Sequence, residues 1–581
     1  MNKNKEFKNI EFKNKEFKNK ELKNIEFNYW INIQFGGRKN TEKKWDSLEH
    51  NGVMFPDDYK PHGINLIYNG RNIKLNDLAE EYATYYAKYL DTDYINNSRF
   101  KRNFWKEWRK IIDKNLNIVE FDKCDFRLIK EYLDKEKEKK NLMTKEEKLQ
   151  VKENNDKLAE KYKYCMIDGK KQQVGNYRIE PPGLFLGRGC HPKLGMLKKR
   201  ILPDDITINI SKGSDIPKIN LEGDYKWGEI IHDNTVNWLA TWRDNITGKN
   251  KYVFPGDQSD FKAKSDIAKF DLAKKLKKKA GEIRSENNKN LESNDVVKKQ
   301  LATALYFIDK LALRVGNEKG EDQADTVGVS SLRVEHLTLL DDINFKIKLD
   351  FLGKDSIRYT NKFTINEIVY QNLKLFLKDK DNKDDLFDKI KADDINKYIQ
   401  SFLPGLTSKV FRTYNASYVF QKELNLISKK FESYNKNDKV NLILDEFNKA
   451  NAKVALLCNH QKKVSKGFNE NINKINQRLK DFKKKKEELE GKKKEKSGKQ
   501  AKGLRERIKK IDENIKLLKS KKSSKIEMKS VSLGTSKINY IDPRITIAFL
   551  KKHKIEVDKI FTKTLQQKFY WAFTVDDNYV F

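Results

Sequence analysis

Residues 536–544 read SKINYIDPR, and they place Tyr540 beside a turn signal formed by Asp542 and Pro543, just past a long run of lysines. Two interpretations of this tyrosine are open. It is either a buried aromatic residue packed at a turn, or a nucleophile whose phenolic oxygen attacks a substrate. If Tyr540 is a nucleophile, it needs cationic and acidic partners from other parts of the chain, and the fold must then bring those parts together.

Length and charge limit the classes of protein that this chain can be. With 581 residues it is too long for one hydrophobic core, and the length predicts roughly three or four domains. Lysine and arginine total 121 against 85 aspartate and glutamate residues, so the formal net charge is +36. This excess favours a polyanionic partner, above all nucleic acid. Codon bias in an AT-rich genome is the alternative explanation for the abundance of Lys, Asn and Ile.

Cysteine usage and hydropathy predict a soluble intracellular protein. The four cysteines form no CxxC pair, which argues against a zinc site and against a disulfide framework. The N-terminal segment lacks the apolar core of a signal peptide, and no later stretch reaches the ~18 to 20 apolar residues that span a bilayer. We therefore expect no metal site and no membrane association.

Composition along the chain predicts five regions. A lysine-rich pentad repeat indicates a disordered basic tail over residues 1–40. Strand-like runs such as NLIYNG and DITINI alternate with helix-like runs such as LAEEYATYYAKYL, which makes 41–259 a mixed α/β region. Residues 260–462 are mainly helical with one strand pair, 463–525 form a helical hairpin, and 526–581 form a small helical region.

Residues 177–195 form a Pro- and Gly-rich segment, YRIEPPGLFLGRGCHPKLG, that contains Arg188, His191 and Lys193. Such a composition suits a loop whose backbone approaches a ligand closely. A structural cluster of turns without a ligand explains the pattern equally well.

Two segments of the mainly helical region present cations. In 301–317, LATALYFIDKLALRVGN, the apolar spacing predicts a helix with Arg314 near its end and Gly316 as its stop. In 345–365, alternating residues on both sides of Gly-Lys-Asp-Ser predict a β-hairpin with Lys354 at its tip. The predicted buried face of the helix consists of Leu301, Leu305, Ile308 and Leu311.

Two heptad patterns after His460 predict an antiparallel coiled hairpin, because the Gly- and Lys-rich segment EGKKKEKSGKQAKG interrupts them. Lys486 occupies one core position of the first pattern. The many lysines of the hairpin face either solvent or DNA. The first pattern contains Ile472, Ile475, Leu479, Phe482 and Leu489, and the second contains Leu504, Ile508, Ile511, Ile515 and Leu518.

The sequence lacks the motifs of nucleotide-driven and metal-dependent hydrolysis, since it has no GxxxxGK[ST] loop and no HExxH. Phosphodiester chemistry without a metal needs protein cations at the non-bridging oxygens, an in-line nucleophile and an acid for the leaving oxygen. Arginine suits the first task because its planar fork binds phosphate in bidentate fashion. A tyrosine ester conserves the energy of the broken bond, so the strand can be resealed.

Five segments, in chain order, resemble the motifs of eukaryotic type IB DNA topoisomerases. They are LALRVGNEKGEDQADTVGVSSLRVEH (311–336), DFLGKDSIRY (350–359), KVFRTYNAS (409–417), LLCNHQ (456–461) and LGTSKINYIDPRITIAFLKKH (533–553). The resemblance continues upstream through KKWDSLEHNGVMFPDDYKP and IEPPGLFLGRGCHPKLGMLKKR, and it covers nearly the whole chain from residue 43 onward.

The resemblance implies a role for each matching side chain. Tyr540 would attack a DNA phosphodiester and form a 3′-phosphotyrosyl link. Arg314 and Arg412 would hold the non-bridging oxygens, and His460 would donate a hydrogen bond to one of them. Lys354 would protonate the leaving 5′-oxygen. Further DNA contacts are implied for Arg188, His191, Lys193, Asp355 and Asn539.

The family also implies an architecture and a setting. A mixed α/β cap, a mainly helical catalytic domain like that of tyrosine recombinases, a coiled-coil linker and a small helical C-terminal domain would form a clamp around duplex DNA. A monomer would relax positive and negative supercoils in the nucleus by controlled rotation, without a nucleotide, metal or other cofactor. Arg188, Asp355 and Asn539 match positions that bear on camptothecin binding, whereas Leu186 and Cys190 depart from the family's pattern in that loop.

Two other functions remain open at this point. A tyrosine recombinase or integrase uses a similar set of Arg, Lys, His and Tyr side chains, but it requires contacts that assemble several protomers. A DNA-binding chromatin protein without catalysis is the other alternative, and the intact set of five side chains argues against it.

Overall fold

The computed structural model describes residues 43–320, 322–432, 436–462, 464–465, 467–494 and 498–581. The predicted tail over 1–40 lies outside these residues. The described chain divides into two compact units. The first, called here the N-terminal unit, contains 43–266 and 319–326, and the second, the C-terminal unit, contains 267–318 and 327–581.

The N-terminal unit is mixed α/β, as the sequence predicts. Its helices are α1 (Asp77–Ala87), α2 (Ser98–Trp108), α3 (Arg127–Leu142) and α4 (Lys145–Glu160). Its strands are β1 (Leu48–His50), β2 (Leu66–Tyr68), β3 (Arg71–Ile73), β4 (Cys124–Asp125), β5 (Tyr164–Ile167), β6 (Lys170–Gln173), β7 (Gly183–Leu184), β8 (Leu197–Lys198), β9 (Ile206–Asn209), β10 (Glu229–Ile231), β11 (Ala240–Arg243) and β12 (Asn250–Val253).

Small sheets organise these strands. The largest has the order β10-β9-β11-β12, in which only β10 and β9 are parallel. The others have the orders β1-β5-β6, β3-β2-β4 and β7-β8. Helix α1 begins where the Asn76 side chain accepts a hydrogen bond from the backbone of Ala79, and its aromatic face packs against α2, where Tyr86 stacks on Phe104 with ring centroids 4.5 Å apart. The predicted helix at LAEEYATYYAKYL and the strands at NLIYNG and DITINI are confirmed.

The C-terminal unit is mainly helical. Helix α5 (Asp260–Leu291) begins in the last residues of the N-terminal unit. The following helices are α6 (Val296–Lys310), α7 (Glu367–Leu377), α8 (Ala392–Phe402), α9 (Ser408–Phe431), α10 (Lys436–Leu457), α11 (Phe468–Lys494), α12 (Gly498–Glu527), α13 (Leu533–Asn539), α14 (Pro543–His553) and α15 (Lys563–Lys568). Its strands are β13 (Leu337–Asp341), β14 (Lys346–Leu352) and β15 (Arg358–Thr364).

The predicted hairpin over 345–365 is confirmed, because β14 and β15 pair antiparallel from Lys346 opposite Thr364 to Leu352 opposite Arg358. The prediction of a single strand pair is wrong, however. Strand β13 adds a third strand to this sheet by pairing with β14. Its sequence, LTLLD, is too short for alternation alone to separate it from a helix end.

The prediction of a helix that carries Arg314 near its end and stops at Gly316 is also wrong. Helix α6 ends at Lys310, and Ala312 already has a left-handed backbone with φ of +51°. Gly316 serves another purpose, since a Cβ there would lie 2.7 Å from the Cα of Gly328. Two chain segments therefore cross in contact at these glycines.

Helices α11 and α12 carry the two predicted heptad patterns. Lys486 contacts Asp512 at 2.7 Å, and Asn476 of α11 lines the same groove as Ser523 of α12, so the helices run antiparallel. Ile511 and Ile515 are buried on α12. Among the described residues, none of the helices combines the length and apolar character needed to cross a bilayer.

Candidate active site

Tyr540 lies at the junction of two helices in the C-terminal unit. It follows the last residue of α13, and its backbone N–H donates to the carbonyl of Ser536 at 3.0 Å. Asp542 then caps α14, with Pro543 as the first helical residue. The hydroxyl of Ser417 on α9 donates to the carbonyl of Tyr540 at 3.2 Å and accepts from the N–H of Asp542 at 3.0 Å. The turn is thus fixed on both sides of the tyrosine.

A buried cluster of charged residues stabilises this turn. The Asp542 side chain is fully buried and accepts hydrogen bonds from Arg544 at 2.9 Å and from the hydroxyl of Tyr579 at 3.1 Å. Arg544 also pairs with Asp271 of α5 at 2.7 Å. Buried charges require such partners, and removing one of them leaves an uncompensated charge. The cluster therefore anchors the tyrosine turn to α5.

Arg314 contacts the candidate nucleophile directly. Its Nη1 donates a hydrogen bond to the phenolic oxygen of Tyr540 at 3.0 Å. The backbone around Arg314 is set by the glycine crossing, because the N–H of Val329 donates to the Arg314 carbonyl at 2.9 Å just beyond Gly328. The loop after α6 thus presents the guanidinium group to the tyrosine.

Arg412 on α9 is only 3% exposed. It donates to the carbonyl of Ala312 and, at 2.8 Å, to the carbonyl of Cys458. Its guanidinium carbon lies 5.1 Å from the centroid of the Tyr540 ring, within the range of a cation–π interaction. Its Nε is buried and has no hydrogen-bond partner among the described residues. Arg412 thereby joins the Arg314 loop to the segment that leads to His460.

His460 follows α10, and its N–H donates to the carbonyl of Ala455 at 2.7 Å. Its ring centroid is 5.0 Å from that of Tyr540. Nδ1 is 2.7 Å from the hydroxyl of Ser536, whereas Nε2 is buried without a hydrogen-bond partner in the described part of the chain. The protein therefore engages one ring nitrogen, and the hydrogen-bonding capacity of the other is unused within the described residues.

Lys354 lies at the exposed tip of the β14–β15 hairpin, where Asp355 and Ser356 both have left-handed backbones with φ of +67° and +56°. The tip, both arginines and the histidine line one cavity of about 160 Å³. The cavity residues with polar side chains are Arg314, Lys354, Asp355, Tyr359, Arg412, Asn459, His460, Gln461 and Thr535. Three cations in so small a space favour an anion.

Electrostatics inside the site act on both titratable rings. Burial favours the neutral phenol, but the nearby guanidinium groups of Arg412 and Arg314 outweigh it and lower the pKa of Tyr540 from its ordinary value. Burial, reinforced by the charges of Arg412 and Arg314, lowers the pKa of His460 to about 3. The imidazole is therefore neutral at physiological pH, while the phenolate is more accessible than in free tyrosine.

The structure brings the five predicted catalytic residues together in the C-terminal unit, and Asp355 lines the same cavity. Asn539 is exposed at the end of α13, and its amide donates to the Thr535 carbonyl at 3.2 Å. No group of three or more His, Cys, Asp or Glu side chains suited to a metal ion occurs within the described ranges.

Arg188, His191 and Lys193 belong to the N-terminal unit, in the loop between β7 and β8. Arg188 is exposed, and the His191 ring packs edge-on against Phe185 at 4.8 Å. The ammonium group of Lys193 is already engaged, because it donates to the Ile246 carbonyl at 2.7 Å and to Asp322 at 3.0 Å. Because an ammonium group has three N–H donors, a contact of Lys193 with DNA would use the third donor or replace one of these two partners.

Sequence reasoning missed three supporting features. These are the hydroxyl of Ser417, the hydroxyl of Ser536 and the crossing of Gly316 with Gly328. Ser536 lies four residues before Tyr540 within the segment that resembles the family's tyrosine motif, which is the only signal it carries. The Ser417 contact joins residues 123 positions apart, which no local pattern indicates. The two glycines both lie within 311–336, but no pattern in that segment indicates that their backbones touch.

Comparison with known protein families gives three matches that together span most of the chain. Residues 43–255 match the model of the eukaryotic DNA topoisomerase I DNA-binding fragment, 258–495 match that of the eukaryotic DNA topoisomerase I catalytic core, and 512–581 match the C-terminal topoisomerase domain.

Individual relatives agree with these matches. The chain is 43% identical over 563 residues to DNA topoisomerase 1 of Caenorhabditis elegans, covering 94% of this chain and 69% of the relative. It is 44% identical over 556 residues to DNA topoisomerase 1 alpha of Arabidopsis thaliana, covering 93% and 60%. It is 41% identical over 559 residues to DNA topoisomerase 1 of Homo sapiens, covering 93% and 72%.

Proposed function

Because the chain belongs to the eukaryotic DNA topoisomerase I family and is a type IB DNA topoisomerase, we propose that the phenolic oxygen of Tyr540 is its nucleophile. The observation that carries this proposal is the 3.0 Å hydrogen bond from Arg314 to that oxygen, at a cavity shared by Lys354, Arg412 and His460. A phenolate beside two guanidinium groups is a better nucleophile than free tyrosine.

In the first step the Tyr540 phenol loses its proton to solvent, and the resulting phenolate attacks a phosphorus atom of duplex DNA in line. A bond forms between the phenolic oxygen and phosphorus while the bond from phosphorus to the 5′-oxygen breaks. Negative charge grows on the non-bridging oxygens, and Arg314 and Arg412 neutralise it with forked donors that fit phosphate geometry. His460 adds a hydrogen bond from Nε2, the ring nitrogen that the protein leaves without a partner.

The leaving 5′-oxygen needs a proton, and we assign this task to Lys354. This assignment is supported by the place of Lys354 at an exposed hairpin tip, where it lines the same cavity as both arginines. Because the phosphotyrosine ester retains the energy of the original bond, the 5′-hydroxyl can reverse the reaction after the broken strand has rotated. Relaxation of positive and negative supercoils then needs no nucleotide.

The regional assignments complete the proposal. Residues 41–259 act as a DNA-binding cap, and 260–462 together with 526–581 act as the catalytic half of a clamp around the duplex. Residues 463–525 act as a linker beside the rotating DNA. The matches of the DNA-binding fragment to 43–255 and of the catalytic core to 258–495 support the boundary between the cap and the catalytic half. The boundaries of the linker rest on the heptad patterns, since the catalytic-core match extends into 463–525. We further propose that the enzyme acts as a monomer in the nucleus.

The decisive experiment combines relaxation with detection of a covalent adduct. Supercoiled plasmid is incubated with the protein in EDTA without nucleotide, and the reaction is quenched with denaturant. We expect progressive relaxation and a 3′-linked adduct for the unchanged protein. Tyr540→Phe is expected to lose both while its DNA affinity stays within about twofold, because the change removes one hydroxyl. An adduct that persists in Tyr540→Phe would assign the nucleophile to another residue.

Camptothecin-class compounds provide an independent test of the residues beside the cleavage site. Arg188, Asp355 and Asn539 match the family positions that bear on this drug, and we propose that they support its binding here. The compound is expected to increase the covalent adduct and slow its reversal. Unchanged adduct levels at saturating drug would contradict the assignment, and the departures at Leu186 and Cys190 would then be the first positions to restore to the family's pattern.

A further inference from the structure

The hydroxyl of Ser536 makes the one side-chain contact to the His460 ring nitrogens that the structure describes. Ser536 is fully buried on α13, and its Oγ lies 2.7 Å from Nδ1 of His460. The same residue supports the nucleophile, because its carbonyl accepts the N–H groups of Tyr540 and Ile541, both at 3.0 Å. One residue thus contacts both the histidine and the tyrosine turn.

The position of the histidine proton follows from its surroundings. The ring lies close to Arg314 and Arg412 at a shared cavity, so a positively charged imidazole is disfavoured and the ring carries a single N–H. A neutral imidazole has one donor and one acceptor, and the partner of one nitrogen sets the role of the other. If Nδ1 carried the proton, Nε2 would offer a lone pair to the cavity and would repel an anionic oxygen.

We propose that Ser536 is a positioning residue, whose hydroxyl donates to Nδ1 of His460 and so holds the ring proton on Nε2, where it can be donated to the scissile phosphate. The proposal rests on the proposed role of His460. A serine hydroxyl can donate or accept, but the described residues give the buried Ser536 hydroxyl no other hydrogen-bond partner than Nδ1. Accepting from Nδ1 would therefore leave the hydrogen of that hydroxyl buried without an acceptor, whereas donating to Nδ1 uses it. Ser536 itself does not touch the DNA.

The test is a double-mutant cycle on single-turnover cleavage of a DNA substrate that cannot religate. Ser536→Ala is expected to slow cleavage roughly tenfold, the effect of about 1.4 kcal/mol on the barrier. In His460→Gln the amide supplies a donor near Nε2 that has no tautomer. Adding Ser536→Ala to that variant is therefore expected to change the rate by less than about twofold. Equal losses in both backgrounds would show that the serine acts on packing alone and would overturn the proposal.

Ser428→Ala is the matched control, because Ser428 is also buried and its hydroxyl lies 2.8 Å from a ring nitrogen of His553, a histidine that does not line the cavity. We expect it to leave the cleavage rate within about twofold. Nitrogen NMR of histidine-labelled protein gives a direct second readout. The His460 signals, identified by their loss in His460→Gln, should report a proton on Nε2, and Ser536→Ala should shift the population toward Nδ1. An unchanged tautomer in Ser536→Ala would contradict the proposal.

The same experiments separate this inference from the proposed function. If His460→Ala leaves the cleavage rate unchanged, the role assigned to His460 is wrong. The positioning role of Ser536, which the double-mutant cycle tests, is then wrong as well. If His460→Ala slows cleavage but Ser536→Ala does not, only the positioning role is wrong. Full loss of the adduct in Tyr540→Phe remains expected in either case.

Discussion

The phenolic oxygen of Tyr540 accepts a hydrogen bond from Arg314, while the guanidinium group of Arg412 faces the ring. Burial alone would raise the pKa of this phenol, since the phenolate would lose its hydration. The two arginines reverse that effect and lower the pKa from its ordinary value. The same cations that would suit a phosphate group therefore also favour the phenolate, as the proposed role of Tyr540 as nucleophile requires.

This balance predicts how the cleavage rate depends on pH. Arg314→Gln removes one of the two opposing charges, so the pKa of Tyr540 should rise and the ascending limb of the rate should move to higher pH. We also expect a loss of roughly 10² to 10³ near neutral pH, because a donor to the phosphate is lost. Single-turnover cleavage between about pH 6 and 10 measures both effects.

Arg358→Gln is the control for this prediction. Arg358 also lies near the hairpin tip, but it is exposed and pairs with Asp350 at 2.8 Å. Its loss should leave the position of the ascending limb unchanged. A profile of Arg314→Gln that overlays that of the unchanged protein would mean that Arg314 does not influence the phenol.

Local patterns placed several candidate site residues on their elements, whereas their proposed roles come from the family motifs. Lys354 was indicated by the alternation around a hairpin tip, and Tyr540 by a turn signal and a family motif. Ser536 was not indicated, since its contact with His460 joins residues 76 positions apart. Local patterns locate a side chain on an element, but they do not reveal which distant side chain it meets.

Among the elements, the loop after α6 depends on an unusually close crossing of two chain segments. A Cβ on Gly328 would lie 2.5 Å from the backbone of Gly316 and 2.7 Å from the carbonyl oxygen of Arg314. The backbone of Gly328 has φ of −136°, which any residue can adopt. The requirement for glycine is therefore one of space and not of conformation.

Gly328→Ala is expected to displace the Arg314 loop. We expect cleavage to fall by at least about tenfold and the free energy of unfolding to drop by about 1 to 3 kcal/mol, the usual range for overpacking. Gly281→Ala is the matched control, because Gly281 lies inside α5 with no atom within 4 Å of an added Cβ. It should stabilise the protein slightly. Cleavage kinetics and denaturant unfolding of both variants provide the measurement.

Two elements show what periodicity can and cannot predict. Lys486 fell in a core position of a heptad pattern, and the structure pairs it with Asp512 across the hairpin. The end of α6 was mispredicted because Gly316 resembles a helix stop, whereas it is required for contact with Gly328. A glycine required for contact with another chain segment cannot be distinguished in sequence from a glycine that ends its own helix.

Over the whole molecule, the excess of positive charge should govern DNA affinity. Part of it lies on the helical hairpin, where Lys480 and Lys483 of α11 share a groove with Lys519 and Lys522 of α12. Lysines that contact phosphates release counterions on binding, which makes the affinity depend on salt.

Replacing these four lysines with glutamine is expected to reduce the slope of log K against log salt by about 1 to 4. Their replacement with arginine keeps the charge and should keep the slope. Adduct formation at saturating DNA should be unchanged in both variants, because the groove lies outside the cavity lined by Lys354 and His460. An unaltered slope in the glutamine variant would place these lysines in solvent. Binding titrations over a range of salt concentrations provide the measurement.

Much of the architecture could be predicted from the sequence. The mixed α/β character of the first region, the hairpin that bears Lys354 and the two long helices all follow from periodicity and turn residues. The third strand, β13, and the division of the chain into two units were not predicted. The segment 319–326 belongs to the N-terminal unit although its neighbours on both sides belong to the other. Its polar, acidic sequence KGEDQADT suggests a loop but does not indicate which unit the loop joins.

The tether at Ser417 has a consequence for the resealing of DNA. Its hydroxyl forms hydrogen bonds to the main chain at Tyr540 and at Asp542, at 3.2 Å and 3.0 Å. An ester formed on the Tyr540 ring would therefore keep a fixed position on the protein. Only the free 5′ end of the DNA would then move relative to the active site. The lifetime of each nick would depend on how often that 5′ end returns to the ester. The number of turns released in each event would depend on the stiffness of the duplex and on the torque in it.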